Sequence, residues 1–182
     1  MILPEQAVVL KDGTPCTLRS PGPEEAELML AYLRQISAET EFMVRYPDEI
    51  TTTPEEERAL LAAARDDAHD CMLSAYVDGR IVGNCSLHGN GPRRKLAHRA
   101  QLGIAILRNF WHLCIASHLL DGVLEAARQT GCETVELTAV RENERAVALY
   151  ERYGFRTLAI RPRGFKLDDG RYLDEVLMLL DL

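Results

Sequence analysis

The sequence predicts an α/β protein in which one mixed sheet, with α+β-like local order, carries helices on both faces. Three observations predict it. Two helical stretches precede a block in which the hydrophobic period drops to two. Asp78-Gly79 sits between two apolar runs there, a strong hairpin signal. From residue 96 onward strand and helix patterns alternate to the C-terminus. The resulting order is β-α-α-β-β-β-α-β-α-β-β, in one domain over residues 1–182 with no linker.

Each element has its own signal. Residues 16–19 read as a short strand after the turn KDGTP. Pro23 opens a helix, with Glu24 and Glu25 in the first turn, where the helix dipole favours acid. Leu28, Leu30, Ala31 and Leu33 carry it to residue 38. Residues 38–53 are irregular. Thr53, Pro54 and Glu56 then form a capping-box signature for a second helix ending at residue 66. Residues 71–89 are the hairpin, and residues 96–107 a third, longer strand. In residues 115–130, Ile115, Leu119, Val123, Leu124 and Ala127 share one helical face, and Gly131 stops the helix. Residues 134–140 are a strand. Residues 144–153 are a helix with Ala146, Leu149, Tyr150 and Tyr153 on one face, stopped by Gly154. A strand over residues 155–160, a loop over 161–170 and a last strand over 172–180 complete the chain.

Composition excludes several classes. At 47% hydrophobic and 27% charged residues the chain reads as an ordinary globular protein, and its 182 residues suffice for a substantial core. The net charge of −7 argues against general nucleic-acid binding and leaves room for an amine-bearing substrate. There are five cysteines at wide spacing and no CxxC, the pattern of reduced thiols in a cytoplasmic protein. No basic segment followed by an apolar core opens the chain, and no apolar run reaches membrane-spanning length, so neither signal peptide nor membrane span is expected. The five histidines lack metal-ligand spacing, so no metal is expected. The basic turn Pro92-Arg93-Arg94-Lys95 reads as a solvated tip.

Three segments carry a resemblance. The first is Asn143-x-x-Ala146-x-x-x-Tyr150-x-x-x-Gly154-Phe155; the second is AQLGIAILRNFWHLCIASHLL; the third is the hairpin DGRIVGNCSL. Together with the element order they resemble the GNAT superfamily of acetyl-CoA-dependent N-acetyltransferases, over nearly the whole chain from Cys16 to Leu182. The resemblance implies a GNAT-like fold, acetyl-CoA as co-substrate and, as is common among relatives, a homodimer.

It also assigns residues. Backbone groups of Ile104, Ala105 and Ile106 pair with the pantetheine arm, and one N–H there polarises the thioester carbonyl. Residues Trp111, His112, Leu113, Cys114, Ile115, Ala116 and Ser117 form the pyrophosphate loop and helix start. The family writes this loop as Arg/Gln-x-x-Gly-x-Gly/Ala. With Ala116 at the final Gly/Ala, Cys114 replaces the earlier glycine and Trp111 the Arg/Gln. Some members have a YWG loop with Trp there, and His112 replaces their glycine. Backbone donors at a helix N-terminus survive such changes, but a left-handed backbone angle is harder without glycine. Cys114 itself reads as a small buried residue. His112 points either outward or toward the phosphates as a cation.

Acetyl transfer from a thioester needs a neutral amine, a donor for the developing oxyanion and a proton for the leaving thiolate. By the resemblance Tyr150 protonates the thiolate; a phenol stays protonated at neutral pH. On periodicity alone Tyr150 is core. Asn143 contacts the coenzyme near its pantetheine arm and is equally a good N-cap. For the general base, Glu41 heads a group with Glu39, Asp48 and Glu49 in the irregular segment, ahead of Glu133 and Glu136, and a water chain is an alternative. The leading expectation is transfer of acetyl to a primary amine of a small molecule or a protein N-terminus. The alternatives are a non-catalytic CoA-binding domain of the same fold and an unrelated α/β nucleotide-binding protein. The latter would open with β-α-β and a Gly-rich turn.

Overall fold

A computed structural model describes residues 1–91 and 93–182. Pro92, in the basic turn, lies outside them. Among the described residues eight strands form one sheet in the order β1-β2-β3-β4-β5-β6-β8-β7. The strands are β1 (Gln6–Val9), β2 (Pro15–Arg19), β3 (Cys71–Val77), β4 (Arg80–Gly89), β5 (Arg99–Ile106), β6 (Thr134–Val140), β7 (Arg156–Lys166) and β8 (Tyr172–Asp181). Four helices accompany them: α1 (Ala26–Glu39), α2 (Pro54–Asp66), α3 (Ile115–Gln129) and α4 (Glu144–Arg152). All pairings are antiparallel except β5 with β6.

The local chemistry explains the elements. Thr53 Oγ1 accepts from Glu56 N at 3.2 Å while Glu56 Oε2 accepts from Thr53 N at 2.8 Å, the capping box that starts α2. Asp78 and Gly79 both have positive φ, as the two-residue turn between β3 and β4 requires. Ahead of α1, residues Pro23–Glu25 form one 3₁₀ turn, and Glu25 clamps the Arg19 guanidinium at 2.6 and 2.7 Å. In α1 the buried stripe is Met29, Leu30, Tyr32 and Ile36, whereas Ala31 is exposed.

Strand alternation divides the core between two layers. Leu73, Ala75, Cys85 and Leu87 face α3 and α4, joined by Leu119, Val123, Tyr150 and Phe155. On the other face Tyr76 and Ile81 pack against Met29, Tyr32, Ile36 and Leu61 of α1 and α2. At about 25 cal/mol per Å² of apolar surface, each fully buried Leu or Ile in these layers contributes roughly 1.5–3 kcal/mol.

Three expectations are corrected. A strand, β1, precedes the first expected one and pairs with β2 across the KDGTP turn. Residues 161–166, expected as loop, continue β7 as an edge strand. A register shift between Arg161 and Phe165, with Arg163 at φ 58°, absorbs Pro162 and Gly164. The third expected strand starts at Arg99 rather than residue 96.

Candidate active site

The sheet opens at one place. β5 and β6 pair only over Arg99–Gln101 and Thr134–Glu136, although β5 runs on to Ile106 and β6 to Val140. β5 stays with β4 through Ile106, and β6 stays with β8 along its whole length. The two strands therefore part, and a cavity of about 360 Å³ fills the wedge.

Backbone chemistry defines the β5 wall. Leu107 N donates to Val82 O at 2.9 Å, so Ala105 and Leu107 turn their peptide groups toward β4. Ile104 and Ile106 turn theirs the other way, into the wedge. On that side Ile106 O is already used, accepting from Trp111 Nε1 at 2.7 Å, while on the β4 side Ala105 O accepts from Tyr32 Oη, also at 2.7 Å. Gly83 keeps the adjacent strand close, since a Cβ there would meet Ile106 Cδ1 at 2.5 Å.

The loop and α3 close one end. His112 has φ 66° and Cys114, the N-cap of α3, φ 67°, so both glycine-replacing residues adopt the left-handed conformation glycine would supply. The first-turn N–H groups of Ile115, Ala116 and Ser117 have no partner within the helix, and all three residues line the cavity. His112 and Cys114 also line it and are exposed; Cys114 is not the buried residue expected. Its left-handed backbone turns the side chain out of the core. Leu113 is not on the cavity wall; it packs against the core under α3.

α4 supplies the opposite wall. Asn143 Oδ1 accepts from Ala146 N at 3.3 Å, the N-cap, and Asn143 lines the cavity as well. Tyr150 is 6% exposed and lines the cavity; its hydroxyl is in none of the hydrogen bonds among the described residues and, since no fully buried side-chain oxygen there lacks a partner, it is open to the cavity. Its ring meets Phe155 edge-on at 5.8 Å and 61°. Burial pushes its phenol well above the ordinary tyrosine value, and Cys85 adds to the shift. One helical turn on, Tyr153 Oη lies 3.0 Å from Ser117 O and 2.9 Å from Asp121 Oδ1, which fixes α4 against α3.

The remaining wall faces the segment after α1. Thr40, Phe42 and Met43 line it, opposite Thr138 and Val140 of β6. Among the described residues no carboxylate lines the cavity. Glu41 is exposed and ion-paired with Arg171, which also holds Asp169 at 2.7 Å. Glu39 accepts from Arg108 N at 2.7 Å and from Gln35 Nε2 at 2.8 Å. Glu49 caps Tyr46 N at 2.8 Å, and Glu136 pairs with Arg99. Among the described residues no group of three or more His, Cys, Asp or Glu is placed to hold a metal ion. Among the described residues no helix is long and apolar enough to cross a membrane. Sequence reasoning missed Arg145 and Arg152, both on the cavity rim, because they occupy positions the motif leaves open.

The sequence profile of the Acetyltransferase (GNAT) family matches residues 31–155. The chain belongs to the GNAT family. A curated relative, the L-amino acid N-acetyltransferase AaaT of Escherichia coli K12, is 29% identical over 109 residues, which span 59% of this chain and 65% of that protein. A GNAT acetyltransferase structure from Streptococcus pneumoniae superposes with a TM-score of 0.87 at 28% identity, covering 92% of this chain and 99% of that one. The yncA structure from Salmonella typhimurium, which carries its cofactor acetyl-CoA, has the same fold at 17% identity (TM-score 0.79, covering 92% and 94%). In GNAT terms the profile takes in the β5–α3 loop and α4 together, the two walls of the wedge.

Proposed function

We propose that the protein is an N-acetyltransferase that moves the acetyl group of acetyl-CoA directly onto a primary amine. The observation that carries this reading is the opened wedge, with unsatisfied helix N–H groups at one end and the unpartnered Tyr150 hydroxyl within it. These residues fit the coenzyme: the free backbone groups of Ile104 and the free N–H of Ile106 suit an amide-bearing arm, and the α3 N-terminus suits a diphosphate. Bound acetyl-CoA supplies a thioester carbon open to attack and a thiolate leaving group. The Ile106 N–H is the chain's donor to the thioester oxygen, where negative charge develops. Tyr150 gives its proton to the departing sulfur, and its raised pKa keeps that proton in place until the sulfur demands it. Asn143 presents its remaining amide hydrogens to the pantetheine arm while capping α4.

The acceptor is a primary amine of a small molecule or a protein N-terminus, entering past Thr40, Phe42 and Met43. The relative that acts on L-amino acids supports a small amine. Glu41 lies outside the cavity in its Arg171 pair, so it serves as base only when that pair opens. The amine attacks in its neutral form, the proton its nitrogen loses as the C–N bond forms passes over the Thr40 and Thr138 hydroxyls and water, and Tyr150 regains from water the proton it gave to the sulfur. A non-catalytic CoA-binding domain would need the wedge but not a buried phenol aimed into it, which favours the enzyme. All five cysteines are unpaired thiols, in keeping with a cytoplasmic setting, and a homodimer follows from the family resemblance. Release of CoA thiol against a panel of amines tests the reading. Turnover with one amine class supports it; acetyl-CoA binding with no turnover on any amine leaves the non-catalytic domain.

A further inference from the structure

The rim of the wedge carries a cation that no carboxylate among the described residues neutralises. Arg145 stands in the first turn of α4, and its guanidinium carbon lies 3.5 Å above the centre of the Trp111 ring. Trp111 belongs to the opposite wall, where its indole N–H is tied to Ile106 O. The stack therefore joins the two walls at the cavity rim. Arg108 also approaches the Trp111 ring, at 5.5 Å, but its side chain is bound to the Glu39 carbonyl. Three other arginines are engaged, Arg99 with Glu136, Arg171 with Glu41 and Asp169, and Arg141 with Asp174. Among the described residues Arg145 has no ion-pair partner.

Stacking fixes how such a group can act. A guanidinium lying flat on an aromatic face keeps its five N–H donors in the plane, free to grip a pair of anionic oxygens side by side. Partial burial draws the Arg145 pKa below the ordinary arginine value, the signature of a cation losing water without gaining an anion. The open N–H groups at the start of α3 line the same cavity. Arg152 follows Arg145 by two helical turns, lines the cavity too and adds positive field. Among the described residues no carboxylate lines the cavity beside them.

We propose that Arg145, seated over the Trp111 ring, is the side chain that recognises the diphosphate of coenzyme A. This rests on the reading of the wedge as an acetyl-CoA site. Trp111 is the only tryptophan in the chain, so its fluorescence reports on this spot alone. The test is a fluorescence titration with CoA, dephospho-CoA and pantetheine, on the native protein, Arg145→Met and Arg145→Lys. Arg145 is exposed on a helix surface, so both variants should fold, which far-UV circular dichroism checks. The expected result is a loss of CoA affinity of about tenfold or more in Arg145→Met, equal to about 1.4 kcal/mol per factor of ten. The same loss should appear with dephospho-CoA and be absent with pantetheine. Arg145→Lys should recover part of it, because charge returns without the planar fork. Equal losses for CoA and pantetheine would show a packing role and overturn the proposal. So would a loss that disappears with dephospho-CoA, or unchanged CoA affinity. If the native protein fails to bind CoA, the acetyl-CoA reading falls first, before any variant is compared.

Discussion

The indole N–H of Trp111 donates to the carbonyl of Ile106 at 2.7 Å, and this bond ties the loop before α3 to the end of β5. The loop's shape and the strand edge that faces the wedge are thus set together. Trp111→Phe keeps an aromatic face for Arg145 but removes the donor. It should cost about 0.5–1.5 kcal/mol, the net worth of one such bond, and weaken acetyl-CoA binding. Urea denaturation followed by circular dichroism measures the first and calorimetric titration the second. Native stability and affinity in the variant would show that the bond does not hold the loop.

His112 and Cys114 sit at φ 66° and 67°, where a side chain is strained by about 1–2 kcal/mol per residue. His112→Gly should remove that strain at a surface position. Part of the gain is lost to the greater chain entropy of glycine in the unfolded state. The net expectation is stability raised by up to about 1 kcal/mol, with acetyl-CoA affinity kept or improved. A fall in affinity beyond tenfold would show that the imidazole itself contacts the phosphates.

Tyr150→Phe leaves the ring on Phe155 and breaks no protein hydrogen bond among the described residues. The melting curve and the acetyl-CoA affinity should hold. If the hydroxyl protonates the leaving thiolate, kcat should fall by about 10²–10⁴, the usual worth of general acid catalysis. Because burial raises the phenol pKa, the rate in the native enzyme should show no alkaline decline from Tyr150 at or below the ordinary tyrosine value. An unchanged kcat on a verified acceptor would make Tyr150 core only.

Alkali should weaken the fold before it touches the proposed chemistry. Burial pushes the Cys71 thiol up to about 11, and raises Cys85, Tyr32 and Tyr76 as well. Each group binds its proton more tightly folded than unfolded. Its contribution is therefore complete below the unfolded pKa, about 8.5 for a thiol, and is lost as pH rises toward the folded value. Denaturation midpoints should be level near pH 8 and decline between pH 9 and 11, less steeply in Cys71→Ala. A level profile to pH 11 would contradict this.

Much of the fold was legible because the buried faces repeat. Ile115, Leu119, Val123 and Leu124 are all in the core, and Asp78-Gly79 turns where its chemistry requires. β1 was missed because its four residues alternate weakly and stay largely exposed, so burial left no pattern to read. The end of β7 was misread because Pro162 and Gly164 imitate a loop, whereas an edge strand tolerates both at a bulge. At the site, the helix start and Tyr150 were legible through the motif and its spacing. The stack of Arg145 on Trp111 was not, since it joins residues 34 positions apart that only the opened sheet brings face to face.

Whether the wedge between β5 and β6 binds acetyl-CoA is read out by calorimetric titration of the protein with acetyl-CoA. Saturable binding of one coenzyme per chain is expected, with a dissociation constant within the roughly 1 μM–1 mM range usual for enzyme substrates. Absence of binding at millimolar acetyl-CoA would contradict it and remove both the acetyltransferase and the CoA-binding readings.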